Sequence, residues 1–284
     1  MKITETIEQV RQLVKAVRVQ NKRIGFVPTM GALHIGHISL IETAVKQCGF
    51  VVVSIFVNPT QFSPSEDFDK YPRPVEKDLE ICEKNGVDIV FKPDVQELYR
   101  SGNLTWVTVE KLTDSLCGRF RPDHFRGVAT VCAKLFNIVG PDKAYFGQKD
   151  AQQAIVIKQM VADLNMPLEI VVCPTVRQPN GLAVSSRNKY LTEEQKKAAA
   201  LIYKSLQRCQ QMIEAGITNS SQILTEMHNI LEEPGTIEIE YISVVDAENL
   251  QELKKITGKI LVAVAVKIGS ARLIDNILVD TGKQ

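Results

Sequence analysis

Three things are scarce in these 284 residues: aromatic side chains (6%, with Trp106 the single tryptophan), histidine (four), and net charge, with 34 Lys and Arg against 33 Asp and Glu. Near neutrality with few aromatics argues against a chain whose main task is gripping nucleic acid, which calls for a basic face and stacking rings. No apolar run reaches the roughly 18 residues that span a bilayer, so no membrane segment is expected. The opening Met1-Lys2-Ile3-Thr4-Glu5 carries an acid early and has no apolar secretory core. The six cysteines (Cys48, Cys82, Cys117, Cys132, Cys173 and Cys209) form no C-x-x-C pair. Reduced core thiols in a cytoplasmic protein are the expectation. Neither repeats nor a low-complexity linker interrupt the chain.

What is present is an alternation of two periodicities. Ile3 to Gln20 has helical spacing, with Thr4 and Thr6 available as caps. Ile24–Val27 reads as a strand, 38–47 as a helix, and Val51–Val57 as a β-branched run typical of a buried parallel strand. Helix over 75–84, strand over 88–91, helix over 125–139, strand over 143–146, helix over 151–164 and strand over 168–173 continue the alternation. Strands alternating with helices imply right-handed crossovers and a parallel sheet, whose ligands bind beyond the strands' carboxyl ends. The pattern changes after residue 177. Thr192-Glu193-Glu194-Gln195 is a capping box opening a helix to about Glu214, a second helix lies around 220–231, and strands follow over 237–245, 259–268 and 272–278. The expected fold is α/β: a Rossmann-like doubly wound parallel sheet over residues 1–177 and a smaller α+β domain over 178–284.

Two of the four histidines lie three positions apart in Thr29-Met30-Gly31-Ala32-Leu33-His34-Ile35-Gly36-His37, between the first strand and a helix start. Backbone N–H groups and the helix dipole meet an anion there, and imidazoles add donors without a permanent full charge. A Walker loop would need a lysine after Gly36, a dinucleotide fingerprint would need G-x-G-x-x-G, and zinc would need further ligands nearby; none is present. Asn58-Pro59-Thr60-Gln61-Phe62 is either a plain turn or an amide-bearing loop for hydroxyls and carboxylates. Phe146-Gly147-Gln148-Lys149-Asp150 is either a capped helix start or a phosphate loop with a lysine point charge, and Gln153 follows on the first helical turn. Ser185-Ser186-Arg187-Asn188 offers hydroxyls and a bidentate guanidinium suited to outer phosphates. In His124-Phe125-Arg126-Gly127-Val128, Arg126 suits a carboxylate, a phosphate or merely the surface. Glu76 and Asp78 either hold magnesium or complement a helix N-terminus.

Taken together these segments resemble the pantothenate synthetases, or pantoate–β-alanine ligases, of the nucleotidyltransferases with a His-x-Gly-His signature. The matching pieces are P-T-M-G-A-L-H-x-G-H (28–37), V-N-P-x-Q-F (57–62), Y-P-R (71–73), H-F-x-G-V (124–128), F-G-x-K-D (146–150), S-S-R-N (185–188) and A-R-L-I-D-N (271–276), in order along nearly the whole chain. One departure is Val184, where the family pattern often carries methionine; the slot stays apolar.

The resemblance implies ATP-dependent condensation of (R)-pantoate with β-alanine to pantothenate, AMP and pyrophosphate, through a pantoyl adenylate, in coenzyme A precursor biosynthesis. It implies catalytic roles for His34, His37, Lys149, Ser185, Ser186 and Arg187. An ATP site would comprise Met30, Gly31, Ala32, Leu33, His34, Ile35, Gly36 and His37. It would also include Gly147, Gln148, Lys149, Asp150, Val176, Val184 and the S-S-R segment. Gln61, Gln153 and Arg126 would bind pantoate or β-alanine. Magnesium would accompany ATP, with Asp78 as candidate ligand, and a cytoplasmic homodimer is implied, with the smaller domain covering the active site. Two rivals are an adenylyl transferase acting on another acid and an RNA-binding module built on a synthetase core. The N-P-T-Q-F loop with Gln153 weighs against the first, and the charge balance against the second.

Overall fold

The computed structural model describes residues 1–63 and 68–282. Strands β1 (Lys2–Thr4), β2 (Ile24–Thr29), β3 (Phe50–Ile55), β4 (Ile89–Phe91), β5 (Lys143–Gly147) and β6 (Glu169–Cys173) form one sheet in the order β1-β4-β3-β2-β5-β6, every pairing parallel. Helices α1 (Ile7–Arg18), α2 (Ile35–Gln47), α3 (Val75–Lys84), α4 (Val95–Leu98), α5 (Cys117–Phe120), α6 (His124–Val139) and α7 (Ala151–Asp163) connect them. Counted from β2, the strand order runs outward to β4 and then returns to β5 on the other side. The reversal falls between β2 and β5, where such sheets bind ligands.

Alternation along the central strands sets the two faces. Val27, Val53 and Tyr145 pack with Leu40, Ile41 and Ala44 of α2 on one side. Phe26 and Phe146 turn the other way, each meeting Phe136 of α6 edge to face with ring centroids 6.2 and 6.4 Å apart. Both faces are covered, so the strands read as continuous apolar runs.

The second part of the chain carries α8 (Glu193–Glu214), α9 (Ser220–Glu232) and an antiparallel sheet of β7 (Glu238–Asp246), β8 (Lys259–Ile268) and β9 (Ala271–Asp280), in the order β7-β8-β9. The Thr192–Gln195 capping box forms as expected. Ile202, Leu206 and Cys209 of α8 join Ile223 and Met227 of α9 against Val262, Val264 and Val266 of β8. Two compact units result. One comprises Met1–Thr113, Phe120–Gln148 and Gln152–Pro174, the other Asp114–Arg119, Lys149–Ala151 and Thr175–Gln284.

The expected α/β class holds, with two local corrections. Residues 2–4 are not helical: Ile3 pairs with Val90, Thr4 Oγ1 donates to the Val90 carbonyl at 3.3 Å, and the helix waits for the Thr6 cap. The short α4 and α5 were absent from the periodicity, being one turn each. No helix among the described residues is long and apolar enough to cross a membrane. All six cysteines are buried and free of disulfides.

Leu206 is fully buried. Leu206→Ala is expected to cost about 2–5 kcal/mol by deleting packed methyl groups and leaving a cavity. The check is a fall in the urea midpoint of the second unit's transition at unchanged slope.

Candidate active site

The histidine motif is built by β2 and the start of α2. Gly31 (φ +80°) and Ala32 (φ +51°) turn the chain sharply after β2. A Cβ at Gly31 would lie 2.9 Å from Asp78 Oδ2, so this turn has room only for glycine. Asp78, 1% exposed on the first turn of α3, accepts from Ala32 N–H at 2.8 Å through Oδ2 and from Leu33 N–H at 2.7 Å through Oδ1. Thr29 Oγ1 donates to the Ser54 carbonyl at 2.7 Å and accepts from Gly31 N–H at 3.1 Å.

His34 is then the N-cap of α2, which begins three residues earlier than its apolar spacing suggests. Its Nδ1 accepts from Gly36 N–H at 3.2 Å, and Nδ1 of His37 accepts from His34 N–H at 3.3 Å. Both neutral rings are therefore Nε2–H tautomers, because a ring nitrogen that accepts carries no proton. The rings lie 4.1 Å apart at 36°. A Cβ at Gly36 would stand 3.0 Å from the His34 ring, so the glycine keeps the cap geometry open.

Burial raises the Asp78 carboxyl above its ordinary value of 3.8, while the Leu33 and Ala32 N–H groups and the Lys77 charge oppose the shift. With the folded value raised, the group adds stability as pH falls through that value toward 3.8 and does not drive acid unfolding. The magnesium role expected for Asp78 does not fit this geometry: both oxygens are committed to backbone donors in a buried turn. No group of three or more His, Cys, Asp or Glu side chains is gathered for a metal among the described residues.

A second cluster forms where the loop after β3 meets α6. Asn58, 1% exposed, accepts from Thr60 Oγ1 at 2.9 Å and donates through Nδ2 to Gln61 Oε1 at 3.1 Å and to the Gly127 carbonyl at 3.2 Å. A Cβ at Gly127 would come within 2.4 Å of the Thr60 carbonyl oxygen, so α6 approaches the loop backbone directly. His124 Nε2 lies 3.2 Å from Arg121 NH1, and arginine only donates, so this imidazole carries its proton on Nδ1 and donates to the Gln61 carbonyl at 2.8 Å. Gln61 Nε2 reaches Met30 Sδ at 3.2 Å, tying the cluster to the histidine turn.

In the other unit, Arg177 grips Asp275 through two bonds of 2.5 and 3.0 Å and stacks 3.7 Å from the Tyr203 ring centroid. Asn276 Nδ2 donates to the Lys149 carbonyl at 2.9 Å. Lys149 Nζ lies 4.0 Å from Asp150 Oδ1. A hairpin turning at Gly181 (φ +88°) pairs the Val176 carbonyl with Val184 N–H at 3.0 Å, which sets Ser185 just beyond the pair. Ser185 caps the following 3₁₀ turn by accepting from Arg187 N–H at 3.3 Å, and buried Asn188 donates to the Ala183 carbonyl at 3.0 Å. Thr175 Oγ1 and Asn188 Oδ1 are buried without a hydrogen-bond partner among the described residues, unusual for polar atoms flanking one loop.

The pantoate-beta-alanine ligase family profile matches residues 2–278. Among curated relatives, the pantothenate synthetase of Thermoanaerobacter sp. (strain X514) is 51% identical over 278 residues, 98% of each chain, and that of Moorella thermoacetica is 51% identical over 280 residues, 99% of each. Among solved structures, pantothenate synthetase from Thermus thermophilus superimposes with a TM-score of 0.93 at 41% identity, covering 98% of this chain and 99% of that one. A pantoate-beta-alanine ligase from Francisella tularensis, complexed with beta-gamma ATP and beta-alanine, has a TM-score of 0.81 at 37% identity, covering 100% and 99%. The chain belongs to the pantoate-beta-alanine ligase family.

Sequence reasoning located most motif residues but not their supports. His34, His37, Met30 and Gln61 come together in the first unit, while Lys149, Asp150, Val176 and Ser185–Arg187 belong to the second. Gln153 is half-buried on the first turn of α7. Arg126 lies on the surface, 3.5 Å from Asp123 and with its guanidinium 4.9 Å from the Trp106 ring centroid. Asn58, Arg121, His124, Arg177, Asp275 and Asn276 carry structural duties that spacing did not reveal. Their only sequence signal was membership in the quoted motifs (N-P, H-F-x-G-V, A-R-L-I-D-N) or a lone arginine.

Asp78→Asn leaves one acceptor for two backbone donors and sets an NH₂ against the other N–H. The expected result is a loss of about 1–3 kcal/mol, seen as a lower thermal midpoint, together with slowed ATP–pyrophosphate exchange. An unchanged midpoint would show that the turn does not need the carboxylate.

Proposed function

We propose that this chain joins (R)-pantoate to β-alanine with ATP as the activating substrate, releasing AMP and pyrophosphate. The observation that carries this reading is the paired Nε2–H imidazoles capping α2 at the carboxyl end of β2, beside the strand-order reversal. The family membership and the ATP and beta-alanine named for the Francisella ligase support it.

In the first step a pantoate carboxylate oxygen attacks the α-phosphorus, the bond from that phosphorus to the bridging oxygen breaks, and pyrophosphate leaves. Such a transfer needs positioning and charge stabilisation more than covalent help. His34 and His37 donate hydrogen bonds through Nε2–H to phosphate oxygens as charge develops, each keeping its proton. Lys149 neutralises the α-phosphate, while Ser185, Ser186 and Arg187 hold the β- and γ-phosphates. Gly147 and Asp150 take the ribose, Val176 offers backbone to adenine, and Gln61 and Gln153 hold pantoate's hydroxyls and carboxylate. In the second step the β-alanine amine attacks the acyl carbon, the bond to the AMP oxygen breaks, and the amine loses a proton.

Magnesium belongs to this reading as part of the substrate, carried on the triphosphate oxygens, since that ion keeps waters and phosphates as its usual partners. The thiols are poor nucleophiles: burial pushes Cys82, Cys132 and Cys209 each up to about 12. Six buried, unbridged cysteines suit a reducing compartment, from which we infer a cytoplasmic location, and the family resemblance supports a homodimer.

The deciding experiment is ATP–pyrophosphate exchange, which should require pantoate and proceed without β-alanine. Lys149→Ala should lower that exchange by two orders of magnitude or more, on the order of 3 kcal/mol of lost charge stabilisation, with the circular dichroism spectrum unchanged; near-normal pantoyl adenylate formation in a single turnover would refute the role.

A Cβ at Gly147 meets nothing within 4 Å, so the protein itself does not require glycine there. Gly147→Ala is therefore expected to leave the melting temperature unchanged or slightly raised while raising the KM for ATP, because the added methyl occupies the space the nucleotide needs. A stability loss without a KM change would remove Gly147 from the nucleotide site.

A further inference from the structure

The first unit contains a pocket of about 340 Å³, open to solvent on one side and bounded by α1, α4 and α6. That volume is at the lower end of small-molecule sites, about 300–1,000 Å³. None of its lining belongs to the motifs already described. Leu98, Ala133 and Ile138 form a buried apolar floor. Arg11, Lys134 and Asn137 supply the polar wall, the last two from one face of α6.

The electrostatics are one-sided. Neither Arg11 nor Lys134 forms an ion pair among the described residues; the ammonium of Lys134 stands 5.1 Å from the Tyr99 ring centroid instead. Glu97, the acid beside Leu98, is engaged as an acceptor for Ile7 N–H at 2.7 Å. Asn137 commits its Nδ2 to the Ala133 carbonyl at 2.8 Å. Two cations, one with a planar fork and one a point charge, therefore line a concave apolar surface, and neither is held in an ion pair among the described residues.

We propose that this pocket binds a small organic anion with an apolar body, a carboxylate on a short aliphatic chain, at a place separate from the catalytic residues. Arg11 takes the carboxylate in bidentate fashion, Lys134 adds charge, and the chain lies over Leu98, Ala133 and Ile138.

Octanoate is the probe, titrated calorimetrically into the whole chain, with octylamine and inorganic phosphate as controls. Octanoate should bind and the amine should not, and saturating ATP and pantoate should leave its affinity unchanged. The double variant Arg11→Gln, Lys134→Gln should weaken octanoate at least tenfold. Ala133→Leu fills the floor without altering charge, so it should also abolish binding; circular dichroism identifies either variant as folded. Absence of binding, equal affinity in the folded double variant, displacement by pantoate, or phosphate binding as tightly as octanoate would each overturn the proposal.

Discussion

A buried carboxylate accepting two consecutive backbone N–H groups is the interaction on which the histidine motif depends. Asp78 lies more than forty residues beyond the turn it holds, and its bonds to Ala32 and Leu33 fix a left-handed Gly31-Ala32 turn that a free chain would not keep. From that turn follow the extended backbone of His34, its position as a helix cap, and the stacking of two imidazoles with their Nδ1 atoms turned inward. The cost of burying the charge is visible in the raised pKa of the carboxyl.

In the second unit the A-R-L-I-D-N strand braces segments remote in sequence. Asp275 fixes Arg177 at the base of the hairpin leading to Ser185, and its neighbour Asn276 holds the Lys149 backbone. Adjacent residues on β9 thus serve segments roughly 100 and 130 positions away. Buried charge paired by two bonds sets orientation more than stability, since desolvation offsets much of the attraction.

Histidine tautomers separate the two imidazole roles. His34 and His37 accept through Nδ1 and keep Nε2–H as a donor, whereas Arg121 obliges His124 to accept through Nε2 and donate to the Gln61 backbone. The first arrangement suits an anion in front of the rings, and the second a scaffold behind a carboxamide.

Much of the fold was legible in the residues themselves. Apolar runs such as 51–57 marked buried parallel strands, the Thr192–Gln195 box marked the start of α8, and Asn85-Gly86 ended α3 at the expected place, because each depends on contacts within a few residues. The histidine motif was legible for a similar reason: strand, glycine turn and helix start are contiguous. Only the tertiary structure decided that Lys2–Thr4 is an edge strand, that Asp78 braces a turn by accepting from two backbone N–H groups, and that Asn58, His124 and Asn276 are supports. Each of those assignments rests on a hydrogen bond between segments remote in sequence. Such a bond forms only once the sheet has brought its partners together, and no local periodicity encodes it.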